Sequence, residues 1–191
     1  MQLVATAYID ESERSGAYGN RYLLGATIAF ADVSRDSYRE VMRDLLLPNK
    51  TKVHWYGAVD AHKRDIVASI SALEVMHCVV THDRKSRESS ERARSKCLEL
   101  LAFELQNFDI NSAVFESRSA ALDRKDLSLL NFLRSSQTIS TAFKGTHVPG
   151  RDEPMLWIAD AICGAVGDSW EVDATYRTVL NHQLHVVSTL M

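Results

Sequence analysis

Residues Met155 to Val166 are apolar at every position except Asp160 and Gly164. Proline suits a first helical turn and acidic residues complement its positive dipole end, so Asp152-Glu153-Pro154 opens a helix that the pattern carries to about Trp170. A segment this apolar belongs inside the molecule. A buried carboxylate is costly unless it is paired, protonated or bound to a cation, which makes Asp160 an exception needing a partner or a task. Gly164 lies four residues after Asp160, Gly167 seven after and Glu153 seven before, so all four share one stripe. Glycine inside a helix costs about 1 kcal/mol relative to alanine. Close approach to a sheet, or room for a ligand, explains both glycines; a helix packed on a sheet with Asp160 at its solvent edge is the plainer reading.

The other elements follow from periodicity. Leu3 to Ile9 and Tyr22 to Phe30 read as two strands joined by a polar, hairpin-like segment holding Gly16 and Gly19. After Ser34, a candidate N-cap, Tyr38, Val41, Met42 and Leu45 recur at helical spacing until Pro48. His62 to Leu73 repeats that spacing, and Met76 to Thr81 reads as a buried strand. The longest helix is expected over Glu88 to Phe108, followed by a strand at Ile110 to Glu116, a helix at Leu127 to Leu133 and a short strand at Thr138 to Phe143. Thr178 to Leu190 fits a helix or a last strand equally. Three prolines, eight glycines and no repeat or linker over 191 residues indicate one domain spanning 1–191, of α/β or α+β type.

Acids recur where strands end. Alternation in a strand puts Asp10 on one face with Tyr8 and Thr6, and Glu11 on the other with Ile9 and Ala7, so one of them points to a packed face or a cleft. In Val114-Phe115-Glu116-Ser117-Arg118, Glu116 shares a face with Val114. Polar loop starts and a structural ion pair between Glu116 and Arg118 account for these acids in the simplest way. Convergence of Asp10, Glu116 and Asp160, with Glu11 near, would instead make a site for Mg2+ or Mn2+, since hard cations take oxygen ligands. Such a cluster supports attack of water on a phosphodiester. His54, after the Pro48 turn and before Trp55, is a candidate proton donor or phosphate contact, or a hydrogen-bonded structural residue. His82-Asp83 is a weaker ligand pair at a strand end.

The formal charge is −3, from 22 Lys and Arg against 25 Asp and Glu, which excludes a protein that coats nucleic acid by bulk electrostatics. Thr81 to Lys96 nevertheless carries six basic residues against three acidic ones, and Arg84, Lys85 and Arg87 are its candidate phosphate contacts beside Arg118. A solvated loop and first helical turn explain the same run. No stacking-aromatic motif, glycine-rich phosphate loop or Ser-His-Asp signature stands out. Cys78, Cys97 and Cys163 lie apart in apolar runs and read as buried free thiols. No apolar stretch approaches a membrane span and the first residues lack a basic secretion region, so a cytoplasmic location without membrane association is expected.

In order along the chain, Tyr8-Ile9-Asp10-Glu11-Ser12, Tyr22-Leu23-Leu24-Gly25-Ala26-Thr27-Ile28, Lys52-Val53-His54-Trp55, Glu116-Ser117-Arg118 with Asp123-Arg124-Lys125-Asp126, and Glu153-Pro154 through Asp160-Ala161 with Gly164-Ala165-Val166 resemble the bacterial family called domain of unknown function 3800. Its short actinobacterial-type members are the nearest in pattern. Two positions depart: Glu13 stands where members usually carry glycine, and Tyr56-Gly57-Ala58 where a further acid is common. The resemblance implies a ribonuclease-H-like α/β fold, a mixed central sheet with helices on its faces, a central first-strand aspartate and an acid in a late helix. Asp10 and Asp160 match those two positions. The resulting expectation is a metal-dependent nuclease acting on DNA or RNA through Asp10, Glu116 and Asp160, with His54 and Arg118 orienting phosphate. A catalytically silent binding module of a mobile element or phage-conflict system is the alternative, and a small-molecule phosphohydrolase a third. Nucleic acid is the expected partner, with a homo-oligomer left open.

Overall fold

The computed structural model describes residues 5–16, 19–30, 35–171 and 174–189. Its strands are β1 (Ala5–Gly16), β2 (Gly19–Phe30), β3 (Val75–Arg84), β4 (Ser112–Glu116), β5 (Lys144–Val148) and β6 (Leu184–Ser188). Its helices are α1 (Arg35–Asp44), α2 (Asp60–Ser71), α3 (Ser90–Asn107), α4 (Ala120–Ser135), α5 (Pro154–Glu171) and α6 (Thr175–Leu180). The strands form one sheet in the order β5-β4-β1-β2-β3-β6. The β1–β2 and β2–β3 pairs are antiparallel, whereas β4 on β1, β5 on β4 and β6 on β3 are parallel, so the sheet is mixed. The α/β reading therefore holds. Leu3, Val4, Ser34 and Leu190, which bounded or capped expected elements, lie outside the described residues.

Strand alternation divides the core in two. Tyr8, Leu23 and Val79 pack with α1, α2, α5 and α6 on one face, while Ile9, Leu24 and Val80 pack with α3 and α4 on the other. All three cysteines are buried and free. The apolar helix α5 fits this arrangement because it lies across β1 and β2 with α1 and α6 beside it, leaving little of its surface to water.

Three elements differ from their sequence pattern. The polar stretch Glu11 to Arg14 continues β1 instead of looping out, because Glu13 pairs with Arg84 and Arg14 reaches Asp168 at 3.0 Å. Ladder pairing persists to Gly16 opposite Gly19. Thr138 to Phe143 is not a strand; a left-handed Gln137 (φ 59°) reverses the chain, and the amides of Thr138 and Ile139 bond back to Leu133 O. Ile139 and Phe143 are buried there as plugs, and the strand starts at Lys144. The tail supplies both alternatives, α6 and then β6.

The glycines of α5 make room for side chains from elsewhere. A β-carbon at Gly164 would run into the Trp55 ring, and one at Gly167 would meet Arg14. The helix also lies tight against the sheet at Gly25 of β2, where a β-carbon would strike Cys163 Sγ. Gly164→Ala therefore sets a gain of about 1 kcal/mol in helix propensity against a ring that cannot move without losing its bonds. A net destabilisation of about 1–3 kcal/mol is expected in urea unfolding, with altered tryptophan emission in the folded state.

Candidate functional site

β1 presents Asp10 and Glu11 to opposite faces of the sheet, and the two acids meet different surroundings. Asp10 points to the α5 side and is 6 % exposed. The β1–β4 ladder pairs Tyr8 with Val114 and Ile9 with Phe115, so one step further Asp10 stands beside Glu116. Asp160 reaches the same region from α5. Burial raises the Asp10 pKa well above the usual carboxylate range, and the negative charges of Glu116, Asp160 and Glu11 add to it, as does a hydrogen bond with Glu116. Glu116 Oε2 is buried and finds no hydrogen-bond donor among the described residues.

The segment between α1 and α2 closes this group. Lys52 Nζ donates to Glu116 Oε1 at 2.6 Å. Burial, which alone lowers the Lys52 pKa, is outweighed by that bond and by the charges of Glu116, Asp10 and Asp160. The Trp55 backbone N–H donates to Asp160 Oδ2 at 2.8 Å, and His54 Nδ1 lies 3.4 Å from the same oxygen with its side chain 53 % exposed. Beyond β5, Gly150 lets the Glu116 carboxylate lie directly against the backbone, where a β-carbon would collide with it. Two clefts open here: one of about 420 Å³ lined by Lys52, Glu116, Arg118, Gly150 and Arg151, the other of about 180 Å³ lined by Lys50, Lys52, His54 and Tyr56.

Glu11 and Arg118 belong to another assembly. On the α3 side, Arg94, 1 % exposed, donates to Glu11 Oε2 at 2.7 Å and to Asp126 Oδ2 at 2.8 Å. Arg118 binds Glu91 and Asp126 there, and His147, stacked on Phe115, reaches Asp126 Oδ2 at 3.1 Å. The ion pair expected between Glu116 and Arg118 is therefore replaced by Lys52–Glu116 and by Arg118–Asp126. Arg118 still lines the larger cleft.

The basic run is largely committed to internal bonds. Arg84 pairs with Glu13 and donates to Glu88 O, while Lys96 and Arg92 face Glu88. Lys85 and Arg87 are exposed. Arg84 and its partner Glu13 stand on the α3 side, since Glu13 shares the strand face of Glu11, so the structure does not bring these cations to Asp10. His82 and Asp83 also part: His82 bonds Glu88 and Thr189, and Asp83 bonds Arg21.

Sequence reasoning passed over Lys52 as a site residue, although it stood in a quoted motif two residues before His54. It also passed over Asp168, which accepts from Trp55 Nε1, Lys63 Nζ and Arg14 and so holds the Trp55 segment against α5. Asp168 lies eight residues after Asp160, roughly two helical turns on the same side, and that spacing was a usable signal. Among the described residues no group of three or more His, Cys, Asp or Glu side chains is gathered to hold a metal ion, and no helix is long and apolar enough to cross a membrane. No protein-family model matches the chain, and no curated protein or solved structure does.

Two outcomes follow from these charges. Hydrogen bonds from Lys96 and His82 hold the Glu88 carboxyl down from 4.5 to about 2, and in Asp126 bonds from His147 and Arg94 override the upward effect of burial. An acid with a depressed folded pKa stabilises the fold above its unfolded value and loses that contribution as pH falls. Thermal melts should therefore show stability dropping from about pH 4.5 toward pH 2, with a shallower decline in Glu88→Gln. Asp10 has the opposite sign, because its raised pKa means that ionisation opposes folding at neutral pH. Asp10→Asn, whose amide can donate to Glu116, should raise the melting temperature at neutral pH, as read in thermal melts.

Proposed function

We propose that this chain is a divalent-metal-dependent phosphodiesterase acting on nucleic acid, built on a ribonuclease-H-like fold of the kind implied by the resemblance to domain of unknown function 3800. The observation that carries the reading is the buried meeting of Asp10 with Glu116, close to Asp160, beside clefts lined by cations. The mixed sheet with the first strand near its centre, an aspartate on that strand and an acid on a late helix support the fold assignment.

The donors suit a hard cation. All are carboxylate oxygens, Glu116 Oε2 is buried without a donor among the described residues, and the charges of Glu116 and Asp160 disfavour ionised Asp10 in the absence of added positive charge; the described acids are not gathered as a ready metal site, so an ion would have to draw them together. Asp10, Glu116 and Asp160 would hold Mg2+ or Mn2+. When bound, such an ion supplies a water of lowered pKa and offsets charge on the phosphate. The remaining work falls to side chains of this chain. Lys52, at the wall shared by both clefts, attracts the scissile phosphate and balances the acids. His54, half exposed beside Asp160, is placed to give a proton to the leaving oxygen as the P–O bond breaks. Arg118 contributes positive charge from the cleft wall, while Arg84, Lys85 and Arg87 have no part at this centre. Cytoplasmic DNA or RNA is the proposed setting.

One observation favours the silent binding module: Lys52 already neutralises Glu116, so the cluster holds a cation of its own. Labelled single-stranded, double-stranded and hybrid substrates incubated with Mg2+ or Mn2+ separate the two. Metal-dependent cleavage by the wild type, reduced on the order of a hundredfold or more in Asp10→Asn and in Asp160→Asn, is expected. Equal cleavage by all three proteins would sink the site assignment, and binding without any cleavage would establish the module instead.

A further inference from the structure

Tyr56 is 84 % exposed, an unusual position for a large aromatic side chain so close to buried carboxylates. It is also held stiffly. The Ala58 N–H donates to Trp55 O at 3.2 Å, and Gly57 has φ +78°, so Trp55 to Ala58 form a tight turn of type II character with Tyr56 at its first corner. The turn is anchored by Trp55, 1 % exposed, whose indole N–H bonds Asp168 at 2.8 Å and whose backbone N–H bonds Asp160 at 2.8 Å. Its ring meets Tyr176 edge-on with centroids 5.1 Å apart, and Lys63 lies 4.8 Å over it. The residue before Tyr56 is thus fixed to the acid cluster itself, while the Tyr56 ring faces water.

Two lysines line the cleft beside this ring. Lys50 is exposed and makes no ion pair among the described residues, and it lines the smaller cleft with Lys52, His54, His62 and Tyr56. Lys52 also lines the larger cleft with Glu116 and Arg151, so the two clefts share a wall over the carboxylates. Along that wall Lys52 is bonded to Glu116 and Arg151 is paired with Asp152 at 3.6 Å, which leaves Lys50, next to Tyr56, as the lining lysine without an ion pair among the described residues.

We propose that Tyr56 is a base-stacking platform and that this surface takes a single-stranded nucleic acid, with one base on the Tyr56 ring and a neighbouring phosphate on Lys50. The assignment of a strand to these clefts rests on the hydrolytic reading above, but the stacking contact is separable from cleavage. An exposed aromatic face beside an unpaired lysine suits a strand whose bases are unpaired, because a duplex hides the faces of its bases against their neighbours. Each such stack contributes about 1–3 kcal/mol and tolerates any base.

Binding is measured by fluorescence anisotropy in EDTA, where metal-dependent cleavage is silent, on labelled oligo-dT and oligo-U of about 12 nucleotides and on a duplex of equal length. Tyr56→Ala should raise Kd for a single strand roughly 5- to 150-fold, and Tyr56→Phe should stay within about twofold of the wild type. Lys50→Ala should reduce the salt slope by about one phosphate contact. The dT and U arms show which sugar is preferred, and Tyr56-dependent binding of either supports the proposal. No binding of either strand, unchanged binding by Tyr56→Ala, or a duplex held as tightly as a single strand would overturn it. Tyr56-dependent binding without cleavage in Mn2+ would defeat the hydrolytic reading alone, whereas cleavage with Tyr56→Ala binding unchanged would defeat the stacking contact alone.

Discussion

The seat of α5 on β2 at Gly25 sets the position of nearly every other group discussed here. Any side chain at Gly25 would strike Cys163 and lift the helix, because interiors are packed too densely to absorb an added methyl without a shift. With the helix held down, Asp160, the residue after Ala159 in this contact, comes near Asp10, the ladder partner of Gly25. The same proximity brings Gly164 under the Trp55 ring and Gly167 under Arg14. Asp168 then gathers Trp55, Lys63 and Arg14, so the loop carrying Lys52, His54 and Tyr56 is tied to the helix that carries Asp160.

The sheet separates two sets of charges with opposite character. On the α3 side, Arg94, Arg118, Asp126, Glu91, Glu11 and His147 interlock, with bidentate contact from Arg94 to Asp126. There the bonds between Arg94 and Asp126 hold the Asp126 carboxyl below and the Arg94 guanidinium above their usual ranges despite burial, so the cost of burying the pair is met internally. On the α5 side, three carboxylates face one ammonium. Burial and like charge raise the Asp10 pKa, and one oxygen of Glu116 has no donor among the described residues. A cluster short of positive charge is a poor device for stability and a suitable one for attracting cations, which distinguishes it from the network one strand thickness away.

The acids of this cluster were legible because each sat where local rules gave it no comfortable place: Asp10 and Glu116 where apolar strands met charge, Asp160 within an apolar helix. Alternation also told which of Asp10 and Glu11 would part from the other, though not which would meet Asp160. Arg94 and Asp126 were not legible, since a basic residue in a basic run and an acid in a charged helix look solvated until tertiary packing buries them together. The polar half of the first hairpin was misread for a related reason. Strand propensity falls at Glu13 and Arg14, and only partners from β3 and α5, far along the chain, make extended backbone favourable there. Thr138 to Phe143 carried a strand-like pattern but serves to finish α4, a use that hydrophobicity alone does not distinguish.

Net charge proves the wrong quantity for judging whether such a chain meets nucleic acid. The excess of cations between Thr81 and Lys96 suggested a phosphate-binding face, yet Arg84, Arg92, Arg94 and Lys96 are engaged with Glu13, Glu88, Glu11 and Asp126. A paired cation has little left to offer a phosphate, because releasing it exposes its partner's charge. Lys50, two residues before Lys52, makes no ion pair among the described residues and stands at the rim of a cleft they share. What matters for a polyanion is the potential along the line it would occupy, and there one unpaired lysine counts for more than several cations already spoken for.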